Sequence, residues 1–491
     1  MLRPLFLACT LVLLGVCSAR ADDNAPLPGA VDKTERLTLS VTPAAEPRPA
    51  LQHSLWLDDR QRQPGNGATF YYRAMLLAEQ RRDADRKEFP ADTTKDWLTV
   101  PLADFPQQEV KAYLERHRHV LRELETATAR ETCQWDLRLD QLQGTAVIEF
   151  LLPDFQNMRD LGRLIAYKAR YEVSQGKYEE ALGTLRQGYQ IAHDCAEPPL
   201  LINALIGVAI AHTMHNVVLD MIDAPGSPNL YWALKQLPSP LIDIQPSLRF
   251  EMSIPYRVFP FLADAETAQR TPEEWQRLTQ QTLQNLDQLS DNRRLPDWQV
   301  RLGGAALMLK NYPVAKGQLL ASGMDRDTVE RMPVAQVIAI QAARNYRYTY
   351  EEVFKWSLLP YPEAQPRMLQ SMERLRAEGY IGSAFSDKEM LPLASLLMPA
   401  IESVLQASVR GERRQAAMET LEAIRMHAAA QGELPASLQQ LAVVPAPPNP
   451  FTGEPFTYRL EDRRATLDER APGADPARAG DRIYLLELTK E

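Results

Sequence analysis

Two runs of apolar residues at helical spacing, separated by one glycine, constrain the fold of this chain more than any other feature. Leu161, Leu164, Ile165, Ala169 and Val173 recur every three to four positions; Gly176 intervenes; Tyr178, Ala181, Leu182, Leu185 and Tyr189 resume the period. That spacing sets each group on one face of an α-helix, and a glycine between them supplies the left-handed residue that ends a helix. A helical hairpin is the expected result. The same period marks Phe70, Tyr71, Ala74, Met75 and Leu77, and again Val110, Tyr113, Leu114, Val120, Leu121 and Leu124.

Residues 199–223 predict the most apolar helix, carrying Leu200, Leu201, Leu205, Ile206, Val208, Ile210, Val217, Val218 and Met221. His212, His215, Asn216 and Asp220 interrupt it, so it reads as a helix buried in a domain and not as a membrane span. Thr271-Pro272-Glu273-Glu274 starts another: Thr271 caps, Pro272 suits the first helical position, and Glu274 reaches back to close a capping box. This helix should run to about Leu289. Further helices are expected over 298–311, 325–331, 334–356, 366–378 and 391–426. The C-terminal segment differs. A helix over 413–430 leads to short strands at 456–460, 465–467 and 482–488, separated by turns at Pro472-Gly473 and Gly480, which predict a small antiparallel sheet burying Phe456, Tyr458, Ile483 and Leu485. The fold class is therefore mainly α: an irregular, repeat-like helical-hairpin domain with a small C-terminal α+β module.

The first 21 residues carry Arg3, a short apolar run from Leu5 to Val16, and Ala19-Arg20-Ala21. This is the pattern of a secretory signal peptide, with cleavage between Ala21 and Asp22. The run is too short for a bilayer that needs roughly 20 apolar residues. Val16 stands where a lipobox before Cys17 needs a small residue, which argues against acylation. The chain is accordingly expected to be exported, periplasmic or extracellular, without membrane attachment or a transmembrane segment in the mature chain. The expected organisation is a signal peptide (1–21), a flexible Pro/Ala-rich leader (22–50), an N-terminal helical domain with the hairpin (51–260), a second helical region (261–410) and the C-terminal helix plus sheet (411–491).

Removing the signal leaves 53 basic against 64 acidic residues, a formal charge of -11. An acidic chain with no basic stripe gives nucleic acid no phosphate footprint. Only Cys133 and Cys195 remain after cleavage. In an oxidising compartment they are a candidate disulfide closing a loop of about 60 residues, which loop-closure entropy values at ~3–4 kcal/mol; two buried free thiols are the equal alternative.

Cys133-Gln134-Trp135, Pro228-Asn229-Leu230-Tyr231-Trp232-Ala233-Leu234, Leu237-Pro238-Ser239-Pro240-Leu241-Ile242-Asp243 and Asn449-Pro450-Phe451-Thr452-Gly453-Glu454-Pro455-Phe456 together resemble a family of uncharacterised exported bacterial proteins. That resemblance implies membership and no chemistry. Gln175-Gly176-Lys177-Tyr178-Glu179-Glu180-Ala181-Leu182 resembles the turn of a tetratricopeptide repeat, although no 34-residue period recurs. The last 60 or so residues resemble the globular end of type II secretion pseudopilins. From that likeness only a small helix-plus-sheet shape is carried over, since the prepilin leader and assembly helix are missing.

Chemistry is sparse. His212 and His215 lie at i, i+3 on one helical face, and a metal would need a third ligand from His193 or Asp220. No Glu adjoins His212 as in metalloproteases, so the two imidazoles read as a hydrogen-bonded polar edge, and no metal or cofactor is expected. His117-Arg118-His119, Arg81–Glu88 and Glu412–Arg414 read as solvated surface. No nucleophile elbow, P-loop or dinucleotide fingerprint occurs, and no catalytic residue is assigned. The leading expectation is a non-enzymatic exported protein with a protein partner of unknown identity, acting in interaction or structural support in the cell envelope. The alternatives are an extracytoplasmic hydrolase built on His193, His212 and His215, and a small-ligand binder using aromatic-rich surfaces such as Tyr346, Tyr348 and Tyr350.

Overall fold

The computed structural model describes residues 34–142, 153–289, 297–381, 393–441, 443–470 and 480–489. The expected signal peptide with its Ala21–Asp22 cleavage site, the first part of the leader and the Pro472-Gly473 turn lie outside them. Mainly helical architecture with a small sheet near the C-terminus is observed. In chain order the helices needed below are α1 (Ala68–Glu79), α2 (Arg118–Thr128), α3 (Pro153–Ser174), α4 (Tyr178–Cys195), α5 (Leu201–Asp223), α6 (Gln245–Val258), α7 (Pro272–Leu289), α8 (Asp297–Ala321), α9 (Val334–Phe354), α10 (Tyr361–Ala377) and α11 (Leu393–Gln431).

Contacts divide the chain into two units that interleave in sequence. Among the described residues, a framing unit takes those within 34–136, 153–244 and 406–489, and an inserted unit those within 137–142 and 245–405. The unit edges at 244/245 and 405/406 differ from the expected boundaries at 260/261 and 410/411.

In the framing unit, α3, α4 and α5 pack on one another. The expected hairpin is present: α3 ends at Ser174, Gly176 takes φ +69°, and α4 begins at Tyr178. Leu161, Leu164, Ile165, Ala169 and Val173 are buried on one side, and Ala181, Leu182, Leu185 and Tyr189 on the other. Glycines set how closely the helices approach. A Cβ on Gly188 would lie 2.0 Å from the Met214 sulfur, and one on Gly207 would lie 2.6 Å from the Ala192 carbonyl oxygen. Helix α5 is long and apolar enough to cross a membrane by composition, yet its most apolar window is mostly buried inside the unit. Arg170 on α3 clamps it, pairing with Asp220 at 2.7 Å and donating to the carbonyls of Trp97 and Val100.

Strands β2 (Gln63–Asn66) and β3 (Arg130–Thr132) form a separate parallel pair, and the four-stranded sheet has the order β1-β6-β5-β4, with β1 (Glu35–Val41) at one edge and β4 (Thr457–Glu461), β5 (Arg464–Asp468) and β6 (Arg482–Leu488) antiparallel as expected. Two expectations are corrected. The leader is not wholly irregular: Glu35–Val41 forms β1, parallel to β6, so the sheet is mixed. Its Leu37-Thr38-Leu39-Ser40-Val41 alternation is a half-buried strand pattern, with Leu39 and Val41 buried. The deepest β6 positions are Tyr484 and Leu486; Phe456 and Ile483 are buried as expected, whereas Tyr458 and Leu485 are only half-buried. Leu467 and Ala465 oppose Tyr484 and Leu486 in register, which fixes that parity.

Buried arginines of α11 hold the sheet. Arg413 meets Asp481 at 2.8 Å, Arg414 meets Glu469 at 3.1 Å, and Arg425 pairs with Glu422 at 3.1 Å while donating to the carbonyls of Thr42 and Ser227. The expected solvated run Glu412–Arg414 is thus corrected: Arg413 and Arg414 are 2% and 3% exposed. They are inside because carboxylates far along the chain meet them.

In the inserted unit, α7, α8 and α9 pack around Trp275, Phe261, Leu319, Val337 and Ile340. The capping box forms as predicted, with Thr271 N–H donating to Glu274 at 2.7 Å and Glu274 N–H to Thr271 Oγ1 at 3.3 Å, and α7 ends at Leu289.

Glycine contacts give a paired expectation. Gly207→Ala should destabilise the protein by about 1–3 kcal/mol, because its methyl meets backbone that cannot rotate away. Gly183→Ala, with nothing within 4 Å of its Cβ, should be neutral or stabilising by up to about 1 kcal/mol. Urea denaturation of both variants checks the contrast.

Candidate functional site

In the framing unit a small cavity of about 20 Å³ brings together His215 from α5, Ser408, Glu412 and Gln415 from α11, and Leu241 and Ile242. His215 is 2% exposed, and neither ring nitrogen has a hydrogen-bond partner. Sequence reasoning expected a hydrogen-bonded imidazole. Packing against Ala211, Val208 and the 240–242 segment leaves apolar neighbours there instead. Burial, reinforced by Arg414, pushes the His215 pKa down to about 3; burial pushes His212 down to about 3 as well, with Arg414 and His215 adding to it. Both imidazoles are neutral at pH 7. Burial raises the pKa of Glu412.

A serine, a histidine and a glutamate around one cavity invite comparison with a nucleophilic triad. The geometry opposes it. A general base must hydrogen-bond its nucleophile and be oriented by a third group, whereas His215 bonds to neither Ser408 nor Glu412. Space of ~10–15 Å³ by this measure holds one water, so the cavity admits a water and not an acyl substrate.

The other expected residues lie apart. His193, on α4, sits edge-on to Trp56 with ring centroids 5.4 Å apart, and its Nδ1 is 3.8 Å from Asp194. Asp220 is engaged by Arg170 at 2.7 Å, and burial raises its pKa to about 6. Among the described residues no group of three or more His, Cys, Asp or Glu side chains is placed to hold a metal. Cys133 and Cys195 are both free and buried, and burial pushes both thiols well above their ordinary pKa. They lie beside one polar knot. Tyr71 donates its hydroxyl to Asp194 at 2.6 Å and stacks on Trp135, which donates to the Asp194 carbonyl at 2.8 Å.

His117 is a further correction. Its run predicts a solvated surface, but it is 4% exposed, with Nδ1 3.0 Å from the Tyr113 carbonyl and Nε2 3.0 Å from Asp85. His119, two positions on, is exposed as expected. Asp85 is likewise the one buried member of the otherwise largely exposed Arg81–Glu88 run. A polar partner on a separate helix drew both inward, and nothing local in the sequence announces it.

The inserted unit holds a second cavity, of about 60 Å³, that sequence reasoning did not find. It lies between α7, α8 and α9, and Phe261, Trp275, Leu278, Leu283, Met308, Ile338 and Ala339 supply most of its wall. Scattered apolar positions on three helices give no local signature of such a space. On the same unit an apolar edge faces solvent. Leu358, Leu359 and Leu369 are 58%, 37% and 38% exposed. Beside them Lys355 Nζ lies 5.0 Å and the Arg367 guanidinium 6.0 Å from the Trp356 ring centroid.

Comparison with protein-family models, with curated proteins and with solved structures finds no match to this chain.

The neutral, unpaired His215 carries a pH signature. Its folded-state pKa lies below the unfolded value near 6.5. Folding therefore excludes a proton, and the stability present above pH 6.5 is lost as pH falls toward 3. His215→Leu should leave stability at pH 7 unchanged or higher, since it removes a buried polar group without a partner. It should also flatten the loss between pH 6 and pH 4.5 by up to about 1.4 kcal/mol per pH unit. Urea titrations at pH 7, 6, 5 and 4.5 measure this, and an unchanged slope contradicts it.

Proposed function

We propose that this protein works by binding and not by catalysis, as an exported component of the cell envelope engaged in protein interaction or structural support. The observation that carries this reading is the exposed apolar edge of the inserted unit around Trp356. Exposed leucines gathered on one edge mark a candidate interaction patch, and Trp356 and Arg367 beside them are of the residue types that interaction hot spots favour. Tyr348, 40% exposed, and Tyr380 lie on the same unit with ring centroids 5.1 Å apart. The state of the framing-unit cavity supports the same reading. An imidazole that hydrogen-bonds no nucleophile and whose pKa is held near 3 is too weak a base for acyl transfer near pH 7, so the hydrolase alternative has no assembled site among the described residues to rest on.

Export rests on the N-terminal pattern of basic residue, apolar run and Ala19-Arg20-Ala21. The partner expected is a protein presenting an apolar ridge, since Lys355 and Arg367 already pair with Glu352 and Glu363 of this chain.

The double variant Leu358→Asp/Leu359→Asp tests the reading. Both sites are exposed, so stability should change by no more than about 0.5 kcal/mol per site. Cross-linking of the full chain to bacterial envelope extract should recover a protein that the variant loses, with the circular dichroism of the two preparations identical. Equal recovery by both, or recovery by neither, overturns the proposal.

A further inference from the structure

The cavity between α7, α8 and α9 belongs to neither the framing-unit cavity nor the apolar edge, and one side chain of its wall is out of place in an apolar lining. Asn311, on α8, lines the space and is 2% exposed. Its amide makes no hydrogen bond to any described residue. The indole N–H of Trp275 nearby is closed off by the atoms around it, whereas the Asn311 amide is not; the little surface this side chain keeps belongs to the hollow it lines. A carboxamide out of water with neither its N–H groups nor its carbonyl engaged is destabilising, and a ligand complementary to both relieves it.

Two hydroxyls share the wall. Thr279 and Thr282 donate to the carbonyls of Trp275 and Leu278, one turn back on α7, at 2.9 and 2.8 Å. Their hydrogens are spent, so toward the space they offer acceptor oxygens alone. The remaining wall is carbon, with Leu278, Leu283, Met308 and Ile338 prominent, and no charged side chain is among the described residues that line it. An ion would shed its hydration there without a counter-charge, so the occupant is neutral. At ~10–15 Å³ per water-sized group, about 60 Å³ accommodates a molecule of about four to six such groups.

We propose that this cavity binds a short-chain primary carboxamide through Asn311. The ligand carbonyl accepts from Asn311 Nδ2, one ligand N–H donates to Asn311 Oδ1, and the other N–H faces the threonine oxygens while the alkyl chain packs against the carbon wall. The ligand needs a donor and an acceptor side by side because Asn311 presents both; a ketone or ester of the same size satisfies only half of that amide, and a hydrocarbon none of it. The short chain follows from the volume. The site is independent of the protein-binding edge at Trp356, so failure of either leaves the other standing.

The test uses the full chain with butyramide as the probe and 2-pentanone, which replaces the amide nitrogen by a methyl carbon at the same size, as the comparison. Saturation-transfer NMR and thermal shift read both. The parent protein should bind butyramide about three- to tenfold more tightly than 2-pentanone, the size of one hydrogen bond. Asn311→Leu keeps the bulk of the side chain and removes an unpaired polar group, so it should fold as the parent does by circular dichroism; in it butyramide should weaken about tenfold or more while 2-pentanone is retained, reversing the order of the two. Thr282→Val, isosteric and on a different helix, should weaken butyramide and leave 2-pentanone unchanged. No saturation transfer from butyramide to the parent overturns the site. Equal affinity for the two probes in the parent, or undiminished butyramide binding in Asn311→Leu, overturns the assignment of the amide.

Discussion

Burial of the guanidinium groups of α11 is the constraint on which the framing unit depends. Arg413, Arg414 and Arg425 lie at 0–3% exposure, where a charge removed from water is tolerable only with excellent geometry and satisfied hydrogen bonds. Arg425 takes its carboxylate locally, from Glu422; the other partners come from distant parts of the chain: Glu469 and Asp481 next to β5 and β6, Thr42 from the segment after β1, and Ser227 from the turn after α5. Truncating one partner would strand the other in a dry interior, typically at a cost of 3–5 kcal/mol. The ion pairs therefore act less as a source of net stability than as a specification of which segments must meet. Arg482 extends this logic, bonding Glu35 at 2.5 Å and Asn216 at 3.0 Å, and so joining the two edges of the described chain across 447 positions.

That arrangement explains the unusual state of His215. The field of Arg414 adds to desolvation in disfavouring imidazolium, because a second cation beside a guanidinium would have to be buried without a counter-ion. The carboxylate nearest in sequence to Arg414, Glu412, faces the His215 cavity and has its own pKa raised by burial. A neutral histidine beside a carboxyl inclined to hold its proton is a low-charge solution in a crowded apolar space. It serves packing. Catalysis would demand a base held near physiological pKa and aimed at a nucleophile, and the forces that stabilise this unit push the imidazole the other way.

The helices were legible because helical amphipathicity is local. Gly176, the Thr271–Glu274 box and the apolar stripes of α3 and α4 each carry their instruction within a few residues, and the structure follows them nearly to the boundary. The sheet was only half legible. Strands β4 to β6 are bounded by turn residues, but β1 was hidden in a Pro/Ala-rich leader because its partner lies more than 440 residues away, and a parallel pairing leaves no turn between the two strands. The buried parity of β6 was ambiguous for a related reason. Ile483-Tyr484-Leu485-Leu486 is apolar on both faces, so only its neighbours' register decides which side is inward.

Charged residues mark the limit of local reading most sharply. Glu412-Arg413-Arg414 and His117-Arg118-His119 look alike as solvated runs, and each contains residues that are almost wholly buried. A charge enters a protein interior when a compensating group waits there, and that group is rarely a sequence neighbour: Asp85 for His117, Glu469 for Arg414. The cavity beside Trp275 is the same problem in apolar form, since its wall is drawn from helices α7, α8 and α9. Periodicity tells a residue which face of its own helix it occupies. Whether that face meets water, a counter-ion or a hollow is decided by the helix opposite.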